Sequence, residues 1–208
     1  MRTIVHKLFK YEELDDMAKD KAKDWYRHFI FQDSCDWEFV FEDAKRAADI
    51  LGIAIGRRRG SREPAIYFSG FWSQVDGACF EGSYRYAKGA TKNIREYAPQ
   101  DKELHRIADE LQNIQRRNFY KLCARMTHSG RYNHSGCMDV SVWHYDDQYR
   151  DIGDAEGEVA QLMRDFADWI YDQLEKEYGY QCSDNVVEES IIANEYEFYG
   201  DGHRAQTS

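Results

Sequence analysis

Two stretches decide the fold: Leu122-Cys123-Ala124-Arg125-Met126-Thr127-His128 and Cys137-Met138-Asp139-Val140-Ser141-Val142-Trp143-His144-Tyr145. The second alternates, with Met138, Val140 and Val142 on one face, which is the period of a half-buried strand. Between them runs a polar connection rich in turn residues, so the pair reads as an antiparallel hairpin. A helix follows directly. Asp154 is a suitable N-cap, and Val159, Leu162/Met163, Phe166, Trp169/Ile170 and Leu174 recur at helical spacing. Gly179 is expected to stop it. A hairpin that hands its chain to a helix, rather than a strand-helix-strand alternation, points to an antiparallel sheet with helices packed on it.

The same grammar extends in both directions. Asp15 caps a helix with Met17/Ala18, Ala22, Trp25 and Phe29 on one face. A second helix starts near Asp36, carries Trp37, Val40/Phe41, Ala44, Ala47/Ala48 and Leu51, and meets Gly52 at its C′ position. Asp101 opens a third with Leu104, Ile107/Ala108, Leu111 and Ile114 aligned, and Ser183-Asp184 opens a short one around Val187 and Ile191. A brief helix over Ala90–Ala98 is ended by Pro99. Further strands are expected at Thr3–Phe9, Ile53–Arg58, Ala65–Trp72, across Phe80, Gly82, Tyr84 and Tyr86, and at Glu195–Tyr199 before the turn Gly200-Asp201-Gly202. With no repeat and no linker, the expectation is one α+β domain over 1–208. It holds an antiparallel sheet of about five strands and four or five packed helices. Its core is expected to contain Trp25, Phe29, Val40, Leu51, Phe68, Phe80, Tyr84, Leu111, Val140, Val142, Phe166 and Ile170.

Composition narrows the class. The 208 residues are 42% hydrophobic, 15% aromatic and 32% charged, with 2 Pro. That excludes collagen-like, low-complexity and disordered chains. No stretch approaches the roughly 20 apolar residues of a bilayer span, and the first residues lack a signal peptide's apolar core. A soluble cytoplasmic protein is expected. The five Cys (Cys35, Cys79, Cys123, Cys137, Cys182) are odd in number and widely spaced, which suits reduced, buried thiols rather than a disulfide framework or zinc ribbon.

Charge is uneven. The net is −3 over residues 1–50, +6 over 51–130 and −13 over 131–208. An acidic final third repels nucleic acid and anionic membranes and attracts a basic protein surface, or simply keeps the chain soluble. The run Arg57-Arg58-Arg59 with Arg62 is too short to mark a nucleic-acid site in an acidic chain.

Chemistry has three candidate locations. Ser69-Gly70-Phe71-Trp72-Ser73-Gln74-Val75-Asp76-Gly77 is a glycine-containing loop with flat apolar side chains; it matches neither a nucleophile elbow nor a phosphate loop. His128 and His134 flank a turn and, with Cys79, form the candidate cluster of a Cys/His hydrolase or nuclease-like enzyme. Their spacing lacks the ligand pairs of a zinc site, so no metal and no cofactor are expected. The helix after Asp154 carries Asp165, Asp168, Asp172 and Glu175 away from its apolar stripe. With Phe71, Trp72 and Tyr132 as aromatic anchors, these carboxylates are the candidate protein-binding residues.

The stretches Lys7–Tyr26, Tyr67–Gln74, Asp76–Gly82 and Ile192–Phe198 resemble a small family of bacteriophage and prophage accessory proteins. Some of its members are labelled as an antitoxin of a toxin–antitoxin stability system. The resemblance spans nearly the whole chain and carries no site residues. It implies a non-enzymatic protein of the bacterial cytoplasm that binds and inhibits a host defence protein, as anti-CRISPR proteins do. Its partner is a host or phage protein with a basic surface, and it contacts neither nucleic acid nor membrane directly. An antitoxin neutralising a partner toxin is the nearest alternative.

Overall fold

The computed structural model describes residues 7–30 and 37–205. Six helices and eight strands lie within them, all strand pairs are antiparallel, and the fold is α+β. The helices are α1 Asp16–Phe29, α2 Glu38–Leu51, α3 Ala90–Tyr97, α4 Lys102–Arg117, α5 Ala155–Gln181 and α6 Asp184–Ala193. The strands are β1 Leu8–Lys10, β2 Ile53–Ile55, β3 Ile66–Phe68, β4 Ala78–Phe80, β5 Gly82–Arg85, β6 Leu122–His128, β7 Met138–His144 and β8 Glu197–Tyr199. Within the span 1–208 read from sequence as one domain, the chain groups into two compact units. One is Trp37–Glu175; the other joins Met1–Asp36 to Lys176–Ser208.

The unit Trp37–Glu175 is organised by a four-stranded sheet in the order β2-β5-β6-β7. The β6–β7 hairpin pairs Leu122 with His144 at one end and His128 with Met138 at the other. Leu122, Ala124, Met126 and Tyr84 face inward and are buried, while Ser83, Arg125 and Ser141 face solvent. One dry face and one wet face is the usual state of an antiparallel sheet with helices on one side. Side chains of α2, α4 and α5 share a single buried cluster with that face. A buried polar side chain fastens α4 to β6. Gln115 donates to the Leu122 carbonyl at 2.8 Å and the Tyr84 hydroxyl at 3.2 Å, and accepts from the Leu122 N–H at 3.1 Å. Burial is tolerable because those bonds replace the ones lost to water.

The caps behave as the sequence requires. Asp15 accepts from the Ala18 N–H at 2.8 Å and Asp101 from the Leu104 N–H at 2.9 Å. Gly52 takes the left-handed conformation after α2. Gly179 does not stop α5, which runs on to Gln181, because a helix interior tolerates glycine at a cost of about 1 kcal/mol. The expected cap at Asp36, Cys35 and the Thr3–His6 part of the opening strand lie outside the described residues.

The strands divide more than expected. The segment read as one strand over Ala65–Trp72 is β3 alone, and it pairs with β4 outside the four-stranded sheet. Only Glu81 separates β4 from β5. Its N–H donates to the Ala65 carbonyl at 2.9 Å, and its carbonyl accepts from the Gly56 N–H at 2.8 Å, so the chain changes partners across one residue. The next residue is glycine for a steric reason: a Cβ on Gly82 would lie 2.3 Å from the Ala54 carbonyl oxygen. The strand expected to close the sheet, β8, instead pairs with β1.

The unit of the two chain ends packs α1, α6 and the β1–β8 pair around Tyr11, Leu14, Ala18, Tyr26, Val187, Ile191 and Phe198. Of the expected core, Val40, Leu51, Phe80, Tyr84, Leu111, Phe166 and Ile170 are buried. Trp25, Phe29, Phe68, Val140 and Val142 are half-buried instead. The valines lie on β7, at the edge of the sheet, and Trp25 and Phe29 pack against the margin of the smaller cluster rather than inside it. No helix among the described residues is long and apolar enough to cross a membrane.

Candidate protein-binding face

The loop Ser69–Gly77 between β3 and β4 is rigid by construction. The Asp76 carboxylate accepts from the Trp72 N–H at 3.0 Å and the Ser73 N–H at 2.7 Å, and the Asp76 N–H donates back to the Ser73 carbonyl. Such a side-chain-to-backbone closure fixes a turn without regular structure. The loop is anchored to α5 by Tyr171, whose hydroxyl donates to the Gly70 carbonyl at 3.0 Å and whose ring stacks on Phe71 at 5.6 Å. Trp37 and Phe68 pack against Phe71 from the other side.

Phe71 is therefore half-buried support, not an exposed anchor as its loop position suggested. Trp72 beside it is 67% exposed and meets the Phe71 ring edge-on, and Val75 is 52% exposed. Tyr132 is also exposed. Its loop is joined to this hairpin where the Asn133 amide donates to the Phe68 carbonyl at 3.1 Å.

The four acidic candidates fall into different environments. Asp165 is engaged by Arg106 at 2.5 Å, in a network with Glu103 and Glu110 that holds the guanidinium firmly charged. It is thus not a free carboxylate on an open acidic stripe, as its helical position implied. Asp168 is exposed, and its carboxyl lies above the usual range, chiefly through desolvation and then through Asp165 and Asp172, against the opposing pull of Ser135 and His134. Asp172 and Glu175 are exposed and form no ion pair among the described residues. Both flank Tyr171, whose phenol is pushed above its ordinary value by burial first and then by Asp76, Glu175 and Asp172. The loop carboxylate Asp76 and the two from α5 therefore all act on Tyr171, the residue that anchors the Trp72 loop.

The alternative enzyme cluster of Cys79, His128 and His134 has no hydrogen bond between its members among the described residues. Cys79 is fully buried on β4, and burial, followed by Cys137 and Glu81, pushes its thiol up to about 12, which suppresses the nucleophilic thiolate. His128 stacks on Tyr67 at 5.5 Å with its Nε2 2.9 Å from the Tyr132 carbonyl. His134 contacts a different thiol: its Nε2 lies 3.2 Å from the Cys137 sulfur. The signal for that pair was the H-x-x-C spacing across the Ser135-Gly136 turn. Among the described residues no group of three or more His, Cys, Asp or Glu is arranged to hold a metal ion. Arg58 of the basic run is occupied, donating to the Ile66 carbonyl and Glu63 and lying over the Tyr67 ring at 5.1 Å.

No curated protein and no solved structure matches the chain. A family model matches residues 37–184, which includes the whole unit Trp37–Glu175. By that match the chain belongs to the family described as Domain of unknown function (DUF8835).

Proposed function

We propose that the chain is a protein-binding protein that seats its Trp72 tip and the adjoining carboxylates on a basic surface of a protein partner. The observation that carries this reading is a single juxtaposition. A tryptophan 67% exposed stands on a loop braced by Asp76 and Tyr171, beside Asp172 and Glu175, which lack ion-pair partners among the described residues. Pre-ordering lowers the entropy cost of binding. A desolvated aromatic supplies affinity, and an acidic surround steers encounter with a basic patch and disfavours nucleic acid.

The resemblance to phage accessory proteins supports the finer reading, a host-defence protein held in the bacterial cytoplasm. On such a partner the carboxylates stand where phosphates would otherwise sit. An antitoxin acting on a partner toxin uses the same face and differs only in what it captures.

The test is capture from the host bacterium with three baits: the natural chain, Trp72→Ala, and Asp172→Lys/Glu175→Lys. A nucleic-acid-binding protein should be retained by the first and lost from both variants. Its affinity should fall about 30-fold or more on removing Trp72, corresponding to about 2 kcal/mol. It should also fall with added salt. A retained set that is the same for all three baits would sink the proposal.

A further inference from the structure

Cys137 ends the 3-10 turn Ser135–Cys137 that leads into β7, and that turn brings residues 134 and 137 to the same side. The Cys137 sulfur and His134 Nε2 are 3.2 Å apart, within reach for a thiol–imidazole hydrogen bond. Glycines crowd His134 at two points: a Cβ on Gly77 would fall 2.6 Å from the His134 Cβ, and one on Gly136 would fall 3.1 Å from the ring atoms Cε1 and Nδ1. The ring therefore lies against the Gly136 backbone, and the base of the side chain against Gly77. Cys137 is half-buried, whereas Cys79 nearby is sealed in the core. A thiol within hydrogen-bond reach of an imidazole is the minimal pair of an activated nucleophile.

We propose that Cys137 is a nucleophilic thiol with His134 as its base. Its substrate is an acyl donor with a good leaving group, a thioester or an activated ester. His134 Nε2 takes the thiol proton as the sulfur lone pair forms the S–C bond to the acyl carbon. The bond from that carbon to the leaving thiolate or alkoxide breaks, and the leaving group takes the proton from the imidazolium. The products are an acyl thioester on Cys137, a neutral His134 and the free thiol or alcohol; no oxidant or reductant is consumed. This inference does not rest on the protein-binding reading, since neither Trp72 nor Glu175 takes part in it.

The experiment uses the purified full chain and p-nitrophenyl acetate. A burst of about one equivalent of nitrophenolate is expected, with the acetyl group on the peptide that contains Cys137. Cys137→Ser should abolish the burst. His134→Gln should slow it about 100-fold or more, the low end of what a positioned base contributes, and Cys182→Ser should leave it unchanged. A second measurement needs no variant. Iodoacetamide on the native chain should alkylate Cys137 about tenfold or more faster than Cys182, which is also half-buried but has no imidazole hydrogen bond among the described residues. Equal alkylation rates, a burst that maps to another residue, or a folded His134→Gln protein with an unchanged burst would each overturn the assignment.

Discussion

The two compact units hold themselves together differently. Trp37–Glu175 is closed by aliphatic side chains from α2, α4 and α5 against an antiparallel sheet, with Phe80 and Phe166 meeting edge-on in its middle at 5.7 Å. The unit of the chain ends is closed largely by rings. Trp25 stacks on Phe29 at 5.7 Å and meets Tyr196 and Phe198 edge-on at 5.2 and 5.8 Å. The Arg204 guanidinium then covers Tyr196 at 4.6 Å and Trp25 at 4.9 Å. The first design needs full enclosure, since aliphatic burial scales with area removed from water. The second tolerates half-exposed rings because their attraction depends on quadrupole geometry and a covering cation.

Truncation at the centre of each unit tests this most severely. Phe166→Ala should cost about 4–5 kcal/mol of denaturant stability, because a sealed aliphatic core cannot collapse onto the void. Phe198→Ala should cost less, about 3 kcal/mol, since half-buried neighbouring rings can lean into the gap. Amide exchange in α1 and α6 would read it. Equal costs in the two units would break the comparison.

Among the described residues of the aliphatic unit, Ser69 and His144 hold buried polar side-chain atoms with no hydrogen-bond partner, and the larger flaw is the histidine. His144 is 4% exposed, and neither ring nitrogen has a hydrogen-bond partner among the described residues. Replacing an unsatisfied buried polar group by an apolar one removes a desolvation cost. His144→Leu should therefore raise stability by about 1 kcal/mol in urea unfolding, and a loss of that size would contradict it. In the aromatic unit, Arg204→Ala should cost about 0.5–1 kcal/mol, seen as a lower thermal midpoint. A larger loss would mean that Arg204 does more than cover rings.

The smallest effect is electrostatic. Asp168 ionises less readily in the folded chain than in the unfolded one, so its ionised form is penalised in the fold. That penalty is absent below the ordinary aspartate range and grows as pH rises through the elevated folded value. Asp168→Asn should stabilise by less than about 0.5 kcal/mol at pH 7, and the gain should vanish below about pH 4. A gain that persists in acid would assign the effect to packing instead.

Much of this was legible in the residues. Asp15 and Asp101 announce their helices through local hydrogen bonds that depend on only three residues of chain. The β6–β7 hairpin is likewise a short-range object. What remained hidden was the choice of long-range partners: periodicity marks β1 and β8 as strands but cannot say that they pair with each other, across some 190 residues. The Trp72 loop was visible as a glycine-containing aromatic segment. Its support from Tyr171 was not, because Tyr171 lies on a helix whose apolar stripe already accounted for its neighbours. Cys79 and Cys137 look alike in the sequence, which does not report that one thiol faces the core and the other faces His134.

The partner exchange at Glu81 sets where this chain can change length over generations. Its N–H, carbonyl and carboxylate engage Ala65, Gly56 and the His128 N–H in turn. Phe80 on one side and Tyr84 on the other both point into the core. A single inserted or deleted residue at Glu81 changes the parity between them and turns one ring outward. The exposed stretches at 59–62 and 145–151 carry no such constraint, so homologues should differ in length there and keep the spacing from Phe80 to Tyr84 fixed.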